Sequence, residues 1–132
     1  MKFTISWLVF LNVKNENKAD KLITQLSSSI TLEVKNLKYE PYWKEPKWIK
    51  AEFTTPYHEE MNFQEAVFNT LQAVNNIGYQ WSVFSPRNNI NNDNSQMVCN
   101  FEGICTNPRI TGIEWAQFVL QTDTKIEYGW NH

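Results

Sequence analysis

Glycine is scarce in this chain: four in 132 residues, standing singly at Gly78, Gly103, Gly112 and Gly129. A phosphate-cradling loop or a dinucleotide fingerprint needs glycines gathered in one turn before a helix, so nucleotide-dependent chemistry has no loop to sit on. Cysteine is scarcer still. Cys99 and Cys105 lie in a stretch that alternates like a strand, which would hold them about 20 Å apart at roughly 3.3 Å per residue, whereas a bridge needs Cα atoms within about 7 Å. Two free thiols suit a reducing compartment. Only one histidine, His58, is internal, and Tyr57-His58-Glu59-Glu60 lacks the second His of a zinc-binding His-Glu-x-x-His helix. His58 therefore reads as a solvated loop imidazole, and neither a metal nor a cofactor is expected. Long apolar runs are also missing. The stretch from Ile5 to Val13 is interrupted by Ser6 and Asn12 and carries no small-residue cleavage site, so no membrane partner is expected and the expected location is cytoplasmic.

Net charge is small, −2, which argues against a protein that binds nucleic acid by displacing counterions from many phosphates. The average hides an asymmetry. Met1 to Lys50 holds nine lysines against five acids, a balance of +4, while Ala51 to His132 holds three bases against nine acids, a balance of −6. If the later acids share a face, they would favour a basic partner and speed encounter with it; otherwise the imbalance serves solubility. What the chain has in quantity is aromatic residues, 14% of the total with six Trp, ample for the core of one domain spanning 1–132.

Phe3, Ile5, Trp7, Val9, Leu11 and Val13 alternate, with Leu8 and Phe10 falling between them, the profile of a central strand buried on both faces. Ala19, Leu22, Ile23, Leu26 and Ile30 form one helical stripe, predicting a helix over Lys18–Ser29 with Asn17 and Asp20 suited to its first turn. A hairpin follows, strands Leu32–Glu40 and Lys47–Thr55, with a phase slip that implies either a bulge near Asn36 or a strand end and with Trp48 on the outward side. Asn62 and Glu65 make a capping-box start for a second helix over Phe63–Asn76, with Phe63, Val67, Leu71 and Val74 inward and Gly78 as C-cap. A strand beginning at Tyr79, a polar loop over Ser85–Gln96, and strands Gln96–Cys105 and Ile113–Gln121 complete the order. The resulting β-α-β-β-α-β-β-β series predicts an α+β fold: a ferredoxin-like split β-α-β sandwich, its antiparallel sheet carrying two helices on one face and extra C-terminal strands. Buried together should be Phe3, Ile5, Trp7, Val9, Leu22, Ile23, Leu26, Val67, Leu71, Val74 and Phe101.

Such a sheet leaves its other face open, and aromatic residues there would mark a contact surface. Tyr39-Glu40-Pro41-Tyr42-Trp43-Lys44-Glu45-Pro46-Lys47-Trp48 sets four rings between and around two prolines, either as a rigid contact rim or as a lid over one end of the core. Stacking of RNA bases on this face is not expected, because neither central strand carries the basic, Gly- and Phe-rich signature that accompanies it. Glu102 and Glu114, on strands joined by a short connection, would face each other across the sheet either as an acid–base pair or as two exposed carboxylates.

Taken as a whole, a small Asn-rich domain poor in His and Gly, acidic in its later half and containing Phe101-Glu102-Gly103 and Gly112-Ile113-Glu114-Trp115-Ala116-Gln117-Phe118, resembles the immunity proteins of bacterial contact-dependent and related polymorphic toxin systems. The resemblance implies a non-enzymatic protein that binds and blocks one cognate toxin domain, often a basic nuclease. From charge and aromatic placement, its contact residues would be Asp93, Glu102, Glu114, Trp115, Tyr128, Trp130 and Trp48, in a monomer or weak homodimer. The alternatives are a small ferredoxin-like ligand-binding domain or enzyme using Glu102, Glu114 or His58, and a module that pairs its open sheet with a second copy.

Overall fold

Alternation in the first strand decides the architecture. In β1, Phe3–Leu11, every odd residue is buried and every even residue half-buried, so one face of the strand lies under the core and the other under a thinner cover. The structure is a computed structural model; it describes the backbone of residues 1–84, 87–90 and 97–122 and the side chains of 1–84 and 100–122. The elements after β1 are α1 (Glu16–Ile30), β2 (Lys35–Pro41), β3 (Ile49–Pro56), α2 (Phe63–Asn75), β4 (Ser82–Val83), β5 (Arg87–Ile90), β6 (Met97–Cys105) and β7 (Ile113–Thr122). The fold is α+β. Its antiparallel sheet runs β2-β3-β1-β7-β6-β4, and β5 continues the edge beyond β4 by pairing with β6.

The run β2-β3-β1 is the order a split β-α-β unit gives. Beside β1, however, stands the C-terminal β7, while β4, the strand that follows α2, lies at the far edge. β7 joins β1 along nearly its whole length, from Phe3 opposite Thr122 to Leu11 opposite Ile113.

Both helices are fixed by their first residues. Asn15, rather than Asn17 or Asp20, caps α1, its side chain accepting from the Lys18 amide at 2.9 Å. Asn62 and Glu65 form the expected reciprocal box at α2, at 2.8 and 3.0 Å. The buried side of α2 is Phe63, Ala66, Thr70, Ala73 and Val74. Leu71 is 40% exposed and Val67 only partly buried, which corrects the inward stripe read from apolar spacing. Small side chains let the helix sit close to the sheet, and Thr70 is accepted there because its hydroxyl shares a hydrogen bond with Tyr57 Oη at 2.9 Å.

Gly78 is likewise not the C-cap; Asn76 is, in ordinary helical conformation. A Cβ at Gly78 would stand 2.7 Å from Cys105 Sγ, so glycine is required there by close approach. Gly112 does need its backbone freedom, at φ +100° in the turn before β7. Of the two readings of the phase slip, bulge or strand end, the bulge is the one present, with φ 58° at Asn36 and a shifted register between Lys35 and Lys38. Where the sequence predicts a polar loop over Ser85–Gln96, Arg87–Ile90 is strand β5: backbone pairing with β6 needs no apolar side chains. β6 runs unbroken from Met97 to Cys105, and Cys105 is free and buried.

Candidate functional site

The ten-residue aromatic segment folds as two consecutive turns. Glu45 N–H donates to Tyr42 O at 3.2 Å and Trp48 N–H to Glu45 O at 2.9 Å, the second turn holding Pro46 at the position whose fixed φ suits it. Tyr42 N–H then closes the loop on Trp48 O at 3.2 Å. This geometry puts Trp43 at the tip, 80% exposed, and turns Tyr42 and Trp48 back over the open face of the sheet.

There they meet Phe10. Its ring stacks on Tyr42 with centroids 4.3 Å apart and lies 6.2 Å from Trp48. From the other side Trp115 comes to 5.0 Å, because β1–β7 pairing sets Phe10 opposite Trp115. Tyr42 and Trp48 are near-parallel at 12°, and Trp43 extends the group at 6.5 Å from Tyr42, with Lys44 Nζ 5.1 Å from the Trp43 ring centre. These separations lie in the range where offset and tilted rings attract. The result is a cluster of five rings, half-buried at its base and open at its tip.

Next to it the open face is charged but balanced. Register places Lys38 opposite Glu52 and Glu40 opposite Lys50, and the four side chains close a square of ion pairs at 3.3 to 3.8 Å. Half-exposed pairs of this kind add little stability, about 0–1 kcal/mol each, but they neutralise the face.

The expected contact residues are distributed as follows. Trp48 and Trp115, from opposite ends of the sequence, are brought into the one cluster. Glu114 adjoins it as the unpaired residue of a β-bulge, between Ile113 opposite Leu11 and Trp115 opposite Phe10. Glu102 is on the same sheet but pairs with Val119, which leaves it about 16 Å along the strands from Glu114 at roughly 3.3 Å per residue. The two carboxylates do not face each other, and the acid–base pair considered for them is not formed. Asp93, Tyr128 and Trp130 lie outside the described residues. The described acids after Lys50 do not gather into one acidic patch either: Glu52 and Glu102 are both on the open face, but Glu52 is in the ion-pair square and Glu102 is far along the strands from Glu114, while Glu59, Glu60 and Glu65 surround the start of α2.

Phe10, Tyr42 and Trp43 complete the site. Phe10 read from sequence as second-face burial of a central strand, and only the return of the Pro41–Pro46 turn makes it the hub of a surface cluster. His58 is exposed, 3.8 Å from Glu33. Among the described residues no group of His, Cys, Asp and Glu is arranged to hold a metal ion, and no helix is long and apolar enough to cross a membrane.

Two tyrosines on the helix side have altered acidity. Burial pushes Tyr39 well above the ordinary tyrosine range, helped by its hydrogen bond to Asp20 Oδ1 at 2.5 Å. Burial also raises Tyr57, against the opposing effect of the Thr70 hydroxyl. Both stay protonated, and their hydroxyl hydrogen bonds, Tyr39 to Asp20 of α1 and Tyr57 with Thr70 of α2, fasten the sheet side to the helices.

Comparison with protein-family models, with curated proteins and with solved structures finds no match for this chain.

Proposed function

We propose that this chain is an immunity protein that neutralises a cognate toxin domain by binding it, without catalysis of its own, through the aromatic end of the open sheet face. The observation that carries this reading is Trp43, 80% exposed at the tip of a cluster whose other rings are stacked and held. Rigid aromatic side chains of this kind supply contact area at low entropic cost and dominate many protein interfaces. For a basic nuclease as the toxin, Glu114 beside Trp115 would lie at the rim of the contact, where charge governs encounter more than affinity. On the fold, we read the β1-α1-β2-β3-α2 portion as a ferredoxin-like unit whose remaining strand position has been taken by β7.

The test is to mix the purified protein with the product of the adjacent reading frame and measure binding by calorimetry. A one-to-one complex that suppresses the toxin's activity is expected. Trp43→Ala and Trp115→Ala should each weaken it by about tenfold or more, the effect of a hot-spot residue. A complex unaffected by either substitution overturns the assignment of the surface; absence of any complex overturns the function.

A further inference from the structure

Two features of the open face lie on opposite sides of the ion-pair square. On one side is the turn between β2 and β3, with Trp43 80% exposed at its tip. On the other is a trough of about 360 Å³, large enough for an indole. Its floor is Leu8 and Val119, both half-buried, and Ser6, Asn36, Thr54 and Gln117 stand around it. Strand register puts the trough on the face that carries Phe10 and Trp115. The square itself is a checkerboard: Lys38 is next to Glu40 along β2 and Glu52 next to Lys50 along β3, with each lysine opposite a glutamate.

Such a pattern is complementary to itself. A half-turn about an axis that lies above the face, crosses the strands and bisects the square exchanges each lysine with the glutamate beside it. Applied to a second copy laid face to face, it sets Lys38 against Glu40 and Lys50 against Glu52, so every charge meets its opposite. The same half-turn brings the turn of each copy over the trough of the other, because the two features flank the square along the strands. An axis parallel to the strands would match the charges too, but it would press turn against turn.

We propose that the open face is a self-recognition surface: two copies of this chain pack face to face about that axis, each seating Trp43 in the trough of the other. The contact is isologous, ring into trough on both sides, as a closed two-fold dimer requires. Leu8 and Val119 offer the ring an apolar floor, and Ser6 and Gln117 offer oxygen acceptors for its N–H. A partner surface of one sign would meet as many like charges in the square as opposite ones. The checkerboard therefore favours a partner with the same spacing in reversed order, which a second copy supplies. Strand spacing of about 4.8 Å and a same-face repeat of about 6.8 Å make this face on the order of 20 Å square. With two Trp43 rings at roughly 150–250 Å² each, the pair would bury on the order of 1,200 Å², the lower limit of a specific interface. The dimer is accordingly weak and reversible. It covers Trp43, so a toxin bound there would draw on the monomer, but the pairing itself does not depend on the toxin reading.

The experiment is sedimentation velocity on the full chain alone, from micromolar to millimolar concentration. A monomer that passes reversibly into a dimer is expected. Trp43→Ala, which empties the trough, and Gln117→Trp, which fills it from within, should each weaken the dimer by about tenfold or more. Lys38→Glu with Lys50→Glu leaves only acids in the square, and Glu40→Lys with Glu52→Lys leaves only lysines; each protein alone should stay monomeric. An equimolar mixture of the two should dimerise again, a recovery that misfolding cannot produce. Lys2→Glu with Lys21→Glu, the same change in net charge outside the square, should dimerise like the parent. A parent that stays monomeric throughout, a dimer indifferent to Trp43→Ala and to both square variants, or a mixture that fails to associate would each overturn the proposal. Failure of the neighbouring toxin to bind would leave these results unchanged, so the two proposals fail separately.

Discussion

The two faces of the sheet use alternate residues of the same strands for different ends. On the helix-covered face, β1 contributes Phe3, Ile5, Trp7, Val9 and Leu11, none more than 3% exposed, and β7 adds Ala116, Phe118 and Leu120, all at 0%. Phe118 alone meets the rings of Trp7, Trp81 and Phe101. On the open face the same two strands offer Phe10 and Trp115 to a cluster that ends in solvent. The covered face is dense, with its polar groups paired inside, as Trp7 Nε1 is with Thr55 Oγ1 at 2.9 Å. The open face is assembled from surface turns and cancelling charges. Stability is expected to reside in the first and contact in the second.

Phe118→Ala should give the largest effect and tests that division directly: removing a ring from the densest part of the covered face should cost about 3–5 kcal/mol in urea unfolding. A loss below about 1 kcal/mol would mean the two faces are not energetically distinct. Thr55→Val keeps shape but leaves the buried Trp7 indole N–H without an acceptor, and should cost about 1–3 kcal/mol by the same measurement.

Alkaline pH probes the same face through its tyrosines. The folded state holds Tyr39 and Tyr57 protonated above the ordinary value of 10.0, so from about pH 10 upward the unfolded chain loses protons first and stability falls with pH. Below that the two groups add no pH dependence. The urea midpoint should therefore stay level up to about the free tyrosine value and fall progressively from about pH 10 upward, and the combined Tyr39→Phe and Tyr57→Phe protein should show a flatter profile. Least of all, Trp43→Ala should change stability by less than about 0.5 kcal/mol. If it destabilised as much as Thr55→Val, the cluster would belong to the core and its role as a contact surface would be lost.

How far the sequence reaches can be judged from particular residues. The covered face was legible where local pattern and tertiary packing agree: the β1 alternation, the α1 stripe, the Asn62–Glu65 box and the phase slip near Asn36. It misled at Leu71, because counting apolar residues cannot reveal that Ala66, Thr70 and Ala73 turn inward when a helix needs to lie close to a sheet. β5 was missed because edge pairing with β6 is a backbone matter and its Asn residues are poor strand formers. The candidate site was legible only in pieces. Trp48 and Trp115 stood out singly, but their meeting depends on β7 lying beside β1, a pairing of the first strand with the last that no local signal announces.

The bulge at Glu114 separates two properties of a position, its identity and its count. Before it Ile113 points to the core; after it Ala116, Phe118 and Leu120 do, an odd-numbered residue followed by even ones. The extra residue reconciles the two phases. Its own side chain is exposed and can be exchanged without disturbing the phase of the strand, yet removing the residue would shift the phase of everything on one side, because a strand displaced by one residue presents its opposite face. Trp115 owes its place on Phe10 to the same extra residue. The connection from Thr106 to Thr111, in contrast, can change in length without altering which way any strand residue points. Along this part of the chain, spelling is loose where spacing is strict, and spacing is loose where no strand has to stay in phase.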